Sequence, residues 1–590
     1  MHKKKQTLSW TLSVGSLVTL CCLLIALLVS GLAHGWNMFN FPYYENDEGV
    51  YVSQAWSLME FGKLAPYTYW YDHAPAGWIF IAIWLMFTGG LYTFGFSLNS
   101  GRVFMLVLHV LSTALLFTIT KKLTKSNFAA LISSLLFALT PIGLYFHRRV
   151  LLDNIMAFWV LLSYFFLLRE KIKLHQILLS AVCFGIAVLT KENAIFFIPG
   201  FLVTIFVVSH HYHRKLALAE WIIISGSIIS LYFLYAALKK ELFPSGTWFG
   251  GNNPHVSLLE TLKYQASRKD GAVQSIMDTS FWRHFTLWIK QDPFLIFAGM
   301  ISNVLLFLFA VLRRKWIQIG TLLLGLLFWF FLVRGGIVIE FYIVPLIPWL
   351  CLFIGLFVAE VMELVQHWTG PAVVRGIYIG LVINLAVGYY FFSQVSRAFG
   401  QNTSARLLVF QSKQTSSQLD ALQFIRQNID PQSVVIIDNH TYLDLRDPQN
   451  PSGVIFPKAE WYWKVDEDPE VKIGVLQDNP ENIDIIAETP QMTGDLQMGT
   501  SPLTSEAKTH AKIWKSFEVD GWSVHIWRTQ YPTQILRRSW QSYKRNFITL
   551  GKVTDLQQEN VTTSEGQSYA LLRAVWMNDK VTFDEVYAWT

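Results

Sequence analysis

From residue 8 to residue 392 the chain is a succession of apolar runs separated mostly by short loops rich in Lys, Arg or aromatic residues. Runs of roughly 15–25 apolar residues match the length at which a helix, rising about 1.5 Å per residue, crosses a hydrocarbon core about 30 Å thick. In lipid every backbone N–H and C=O must be satisfied within its own segment, so such runs fold as helices. Composition agrees, with 53% of the 590 residues hydrophobic and 15% charged, an excess that marks a polytopic membrane protein. Beyond residue 392 the chain turns polar and reads as a soluble domain of roughly 195 residues. The net charge is +6, but the Lys and Arg gather at run ends, where they orient helices in a bilayer. Nucleic acid is therefore not an expected partner. The four cysteines, Cys21, Cys22, Cys183 and Cys351, all lie in apolar runs, which leaves no disulfide framework or thiolate metal site in the polar part.

The charges at the run ends fix an orientation. Residues 1–5 are basic and residues 8–33 form a run longer than the roughly 7–15 residues of a signal-peptide core, so a retained first span is expected, basic end in the cytoplasm. The loop 41–78 then lies outside. If Lys121, Lys122 and Lys125 are cytoplasmic, the run 103–120 passes inward. Residues 78–96 therefore start and end outside, as a re-entrant or interface-lying helix with Gly89, Gly90 and Gly95; a true span is the alternative. Continuing this alternation gives about eleven spans and puts the polar C-terminal domain outside. The outer border then gathers Asp47, Glu48, Asp72, His73, Arg148, Arg149, Asp153, Lys191, Glu192, Arg334 and Glu340. Charges beside hydrocarbon are costly unless hydrated, paired or used.

An acid and cations on one border fit two halves of one reaction. A carboxylate can take a proton from a hydroxyl, and Arg or Lys can hold a departing phosphate. Asp47 and Glu48 are neighbours and would point about 100° apart on a helix, so one of them faces the reacting carbon. Simpler readings stand beside this one. Arg149 and Asp153, four apart, also fit a helix-end ion pair, and Lys191 and Glu192 fit snorkelling interface charges. The aromatic residues Tyr67, Tyr69, Trp70 and Tyr71 fit an interfacial belt as well as a sugar platform. His73 shapes its loop or meets substrate rather than a metal, since no second ligand has a recognisable spacing to it.

The ordered set Asp47-Glu48, His73-Ala74-Pro75-Ala76-Gly77, Arg149-Val150-Leu151-Leu152-Asp153-Asn154 and Thr190-Lys191-Glu192 resembles the protein O-mannosyltransferases and their bacterial relatives. Those relatives include the aminoarabinose transferases that modify lipid A, all membrane-embedded glycosyltransferases of the GT-C class. The likeness covers roughly residues 10–395. It implies an inverting transfer from a polyprenyl-phosphate sugar, with Asp47 as catalytic base, Glu48 beside it and Asp153 as the second acid. Arg149, Lys191 and Arg334 would hold the phosphate, and His73 and Glu192 would contact substrate. Ala74 stands where the family's His-Pro-Pro pattern has its first proline.

In the polar part, residues 418–428 have helical spacing closed by Pro431, residues 433–438 and 484–487 read as strands, and 511–519 with 522–528 read as a hairpin turning at Asp520-Gly521. A small extracytoplasmic α/β domain is expected over 396–530, with substrate or acceptor recognition as its role. The tail 531–590 resembles the opening of family 8 glycoside hydrolases, inverting endoglucanases with an (α/α)6 barrel, through Ser564-Glu565-Gly566-Gln567 and its flanks. The resemblance makes Glu565 a relic general acid. The stretch covers about one barrel helix and lacks a partner base, so no hydrolysis is expected of it. It hints at a bacterial polysaccharide pathway.

The fold expected is thus a GT-C-like polytopic α-helical membrane protein (1–395), an extracytoplasmic α/β domain and a short helical tail. The expected function is hexose transfer from a polyprenyl-phosphate donor to a hydroxyl of protein, lipid or glycan at the outer face of the cytoplasmic membrane. Its partners are that donor, the acceptor and membrane lipid. No cofactor is required, a divalent cation is compatible, and no protein metal-ligand set is recognised. The rivals are a transporter or flippase, which the one-sided charges and the lack of a repeat disfavour, and a non-catalytic assembly protein for polysaccharide export.

Overall fold

Helix α1 (Val14–Gly35) is apolar on every side, so small residues rather than polarity choose its packed face. Ala26, Ser30 and Ala33 are buried, whereas Leu24, Leu28 and Leu32, spaced four apart, stay more than half exposed. The packed face meets α4 (Asn99–Thr124), where the Ser30 and Thr113 hydroxyls lie 2.9 Å apart. The computed structural model describes residues 14–63, 71, 73–169, 172–251, 256–267, 279–395, 409–556 and 560–590. The basic residues at 1–5, the aromatics Tyr67, Tyr69 and Trp70, and Asp72 lie outside the described residues.

The chain divides into two compact units: residues Met1–Asp420 with Asn439–Gly453 and Glu518–Ser523, and residues Ala421–Asp438, Val454–Phe517 and Val524–Thr590. In the first unit, the chain continues through α2 (Asn46–Phe61), α3 (Ala76–Thr88), α5 (Asn127–Leu139), α6 (Pro141–Phe146), α7 (Leu152–Leu167) and α8 (Leu174–Thr190). They are followed by α9 (Ile198–Val208), α10 (Arg214–Leu238), α11 (Leu258–Ser267), α12 (Ser280–Gln291), α13 (Pro293–Leu312), α14 (Trp316–Val333), α15 (Ile347–Thr369) and α16 (Pro371–Val395). Among the described residues seven helices are long and apolar enough to cross a membrane, and five apolar helices of 10–17 residues accompany them. One of the short ones is α3. Its 13 residues rise about 20 Å, short of a bilayer core of about 30 Å, and Gly89 and Gly90, both at positive φ, end it.

Two glycines mark close approaches between elements of the first unit. A Cβ on Gly49 of α2 would lie 2.3 Å from the Asn439 backbone, and one on Gly320 of α14 would lie 2.3 Å from Thr204 Oγ1 of α9. Neither position has room for a larger residue. The Asn439 contact is reinforced by its backbone N–H, which donates to Asn46 Oδ1 at 3.0 Å.

The second unit is built on a sheet of order β2-β1-β3-β5-β4, with β1 Val435–Ile437, β2 Ala459–Trp461, β3 Ile485–Glu488, β4 Ala511–Val519 and β5 Trp522–Thr529. β1 pairs in parallel with β2 and β3, and β3 pairs antiparallel with β5. The two strands and the hairpin expected from sequence are present. β2 is an addition, three residues too short to show a period of two. The tail forms helices Pro532–Phe547, Ser564–Trp576 and Lys580–Trp589, packed around Val553, Ala570 and Val586.

Candidate functional site

The first turn of α2 sorts its two neighbouring carboxylates into different surroundings. Glu48 is fully buried and accepts four hydrogen bonds: from Arg102 Nε at 3.0 Å, Arg102 Nη2 at 2.7 Å, the Val150 N–H at 2.9 Å and the Glu45 N–H at 3.0 Å. Arg102 spends its remaining donors on the carbonyls of Met38, Pro42 and Tyr43, and its guanidinium lies 4.2 Å from the Tyr44 ring centroid. A carboxylate offers about four acceptor positions and a guanidinium five donors, so both groups are used up. Glu48 therefore reads as the clamp that shapes the loop, with no lone pair left for a proton or a substrate. Arg102 went unread in the sequence because it stands in the short gap between the runs 78–96 and 103–120, 54 residues from Glu48.

Asp47, about 100° round the helix, is only half-buried and accepts from Tyr51 Oη at 3.3 Å. Its charge interacts with those of Lys191 and Glu45. Lys191, between α8 and the short turn that follows, is buried and donates to Asp153 Oδ2 at 2.6 Å. Its ammonium also lies 4.9 and 4.8 Å from the Phe341 and Tyr342 ring centroids. Asp153 Oδ1, buried in the same place, has no hydrogen-bond partner.

Arg149 and Asp153, four residues apart, do not pair with each other. Arg149 pairs with Glu45 at 3.1 Å and sits against the rings of Tyr43 and Tyr145, 4.4 and 4.2 Å from their centroids. The choice of partner follows from the break between them: residues 147–151 are non-helical, and α7 begins only at Leu152. Neighbouring Arg148 ties the loop to α1 through the carbonyls of Phe41 (3.2 Å) and Ala33 (2.7 Å). Glu45 is a further residue that sequence reading passed over.

His73 and Glu192 are joined across 119 positions, His73 Nδ1 to Glu192 Oε2 at 3.2 Å, while the Ala74 N–H donates to Glu192 Oε1 at 2.7 Å. Tyr232 of α10 fixes the same turn by donating to the carbonyls of Tyr71 and His73 at 3.1 and 3.0 Å. Ala74, unlike a proline at this place, has a backbone N–H to give, and Glu192 accepts it. His73, Lys191, Glu192, Asn193, Arg334 and Tyr342 line one cleft of about 350 Å³. Arg334 is exposed there, with its guanidinium 4.0 Å from the Phe331 ring centroid. Arg149 is not among the cleft's lining residues. Glu565, in the second unit, is exposed and accepts from Tyr569 Oη at 2.6 Å.

In chemical terms the first unit offers a half-exposed acid, a buried lysine whose charge that acid feels, and a cleft whose walls carry that lysine and an arginine. Such a cleft suits an anionic group, and the acid beside it suits proton removal.

Residues 72–239 match the dolichyl-phosphate-mannose-protein mannosyltransferase family, and residues 527–590 match glycosyl hydrolases family 8. The chain is similar in structure to the oligosaccharyltransferase of Archaeoglobus fulgidus in its apo form, with TM-score 0.52, 13% identity and coverage of 94% of this chain and 83% of that one. It is similar also to ArnT from Cupriavidus metallidurans bound to undecaprenyl phosphate, with TM-score 0.51, 14% identity and coverage of 87% and 98%. At such identities the likeness is one of fold, the GT-C fold. An endoglucanase of Escherichia coli strain K12 is 39% identical over 54 residues, which are 9% of this chain and 15% of that protein. The chain therefore spans about 15% of the length of that relative.

Proposed function

We propose that this chain, a multi-pass membrane protein with the GT-C fold and a mannosyltransferase-family match over residues 72–239, is an inverting glycosyltransferase. It takes a hexose from a polyprenyl phosphate and delivers it to a hydroxyl of protein, lipid or glycan on the outer face of the cytoplasmic membrane. Asp47 removes the hydroxyl proton as the acceptor oxygen attacks the anomeric carbon. The bond from that carbon to the phosphate oxygen breaks, and its electron pair leaves with the polyprenyl phosphate. Lys191 and Arg334 balance the charge that builds on the phosphate. Asp153 holds Lys191 in place, and Glu192 holds the His73 turn.

One observation carries the reading: Lys191, held by Asp153 at 2.6 Å, shares a cleft with Arg334. The undecaprenyl phosphate bound to ArnT supports a lipid phosphate as the donor's leaving group. Mass spectrometry of lipid-linked sugars in cells with and without the gene tests the proposal. A polyprenyl-phosphate sugar that accumulates on deletion, and again when Asp47→Asn replaces the wild type, identifies the donor. An Asp47→Asn chain that clears the donor as the wild type does would instead favour an assembly protein.

A further inference from the structure

Three histidines far apart in the chain converge inside the helical unit. His34 is in the last turn of α1, His109 lies mid-way along α4, and His147 follows α6. All three are more than nine-tenths buried, at 1%, 3% and 5% exposure. One ring nitrogen from each lies within 4.8 Å of the others. The rings of His34 and His109 stack with centroids 3.5 Å apart, and those of His109 and His147 are 4.9 Å apart.

Most of their ring nitrogens lack a close hydrogen bond. Nε2 of His109, Nδ1 of His147 and the His34 ring, whose one neighbouring backbone group is that of Ala138, make no hydrogen bond of good geometry, although buried polar groups are normally paired. A void of about 10 Å³, close to the size of one water-sized atom, is lined by His109 and His147 together with Ser112 and Asn154. Phe137 also lines it, stacked on His109 with ring centroids 4.4 Å apart and tilted against His147 at 5.0 Å.

We propose that His34, His109 and His147 bind a divalent first-row transition ion of the zinc type. Neutral imidazoles suit zinc, copper and nickel, and among the described residues no carboxylate, the ligand that favours calcium or magnesium, joins the group. Two nitrogens on one tetrahedral zinc stand about 3.3 Å apart, so modest ring rotations out of the His34–His109 stack bring the three to ligand distance. Three protein ligands leave a fourth position, toward the void, for water. The ion would tie α1 and α4 to the turn that carries Arg148 and Arg149. The site is separate from the Lys191 cleft and stands whether or not that cleft transfers sugar.

The test uses the full chain, purified in detergent on a tag without histidine, with the surface residues His210, His211 and His213 replaced by alanine so that they add no metal. After chelator treatment and reloading with Zn²⁺, elemental analysis is expected to give about one zinc per chain. The melting midpoint should rise by about 5 °C, and Co²⁺ in place of zinc should show the visible absorption of a tetrahedral site. His109→Phe, which fills the void, and His34→Gln, which keeps a polar group, should each lose the metal and the thermal response while still folding. Zinc content and melting point that are the same in the parent and both variants would overturn the proposal. So would a parent that binds none of Zn²⁺, Co²⁺, Cu²⁺ and Ni²⁺, which would leave the trio as a packed aromatic stack.

Discussion

Glu48 and Arg102 meet through two hydrogen bonds of 3.0 and 2.7 Å, both side chains fully buried. Removing one member leaves the other charged in a low-dielectric interior, at a cost of about 3–5 kcal/mol. Glu48→Gln and Arg102→Met should each lower the melting temperature markedly. The double variant Glu48→Gln with Arg102→Met should recover much of the loss, because no charge is then stranded. Thermal denaturation in detergent reads this, and additive losses would contradict the pairing.

Asp47 should behave in the opposite way. It is half-buried and its neighbour Glu48 supplies the packing, so Asp47→Asn is expected to leave the melting temperature nearly unchanged. Sugar transfer should fall by about 10²–10⁴, the usual worth of a general base. An assay with a polyprenyl-phosphate sugar in membrane vesicles measures it.

Arg334 is exposed at the cleft and donates to the Phe331 carbonyl at 2.6 Å. Arg334→Gln should therefore cost little stability. A charge-assisted bond to phosphate is worth about 1.5–3 kcal/mol, so the KM for the lipid donor should rise roughly 10–100-fold. A kinetic series over donor concentration separates this from a fall in kcat.

In the second unit, burial pushes the Asp438 carboxyl up to about 7, opposed by the Thr489 hydroxyl that donates to it and assisted by Asp495 and Glu488. An unfolded Asp titrates near 3.9, so the folded state holds this proton more tightly. The stability of the unit should be greatest below about pH 4 as far as this group is concerned, decline as pH rises toward 7, and level off above it. Asp438→Asn should flatten that slope. Hydrogen exchange of the β1 and β3 amides in the full chain, corrected for the intrinsic pH dependence, tests it.

Glu565 stands exposed with Tyr569 as its hydrogen-bond partner. No acid of the tail is expected to act on it as partner base, so the purified chain should release no reducing ends from β-glucan. Glu565→Gln should leave sugar transfer unaltered. Release of glucan fragments that Glu565→Gln abolishes would show a working hydrolase site instead.

Much of the helical layout was legible because apolar length and run-end charge are local properties, each set within 20 residues or so. The helix near residue 418, the strands at β1 and β3 and the hairpin turning at Asp520-Gly521 were readable for the same reason: period, Gly and Asp act over a few positions. The short β2 was not, since three residues carry no period. At the site, the acids and cations themselves were visible, but their partners were not. Arg149 looked toward Asp153 along the sequence and is paired with Glu45 instead. Lys191 and Glu192 look like snorkelling charges in the sequence, yet Lys191 is buried against Asp153 and Glu192 holds the His73 turn.

By itself, then, the sequence determined that this is a helical membrane protein with acids and cations gathered along its chain, because hydropathy and charge are carried residue by residue. Only the tertiary structure decided that Glu48 is consumed by Arg102 while Asp47 is left half-buried, that Lys191 and Arg334 share a cleft, and that three histidines meet. A buried charge or imidazole must find a partner wherever packing brings one, and helices that cross in space bring together residues whose spacing in the chain carries no sign of it.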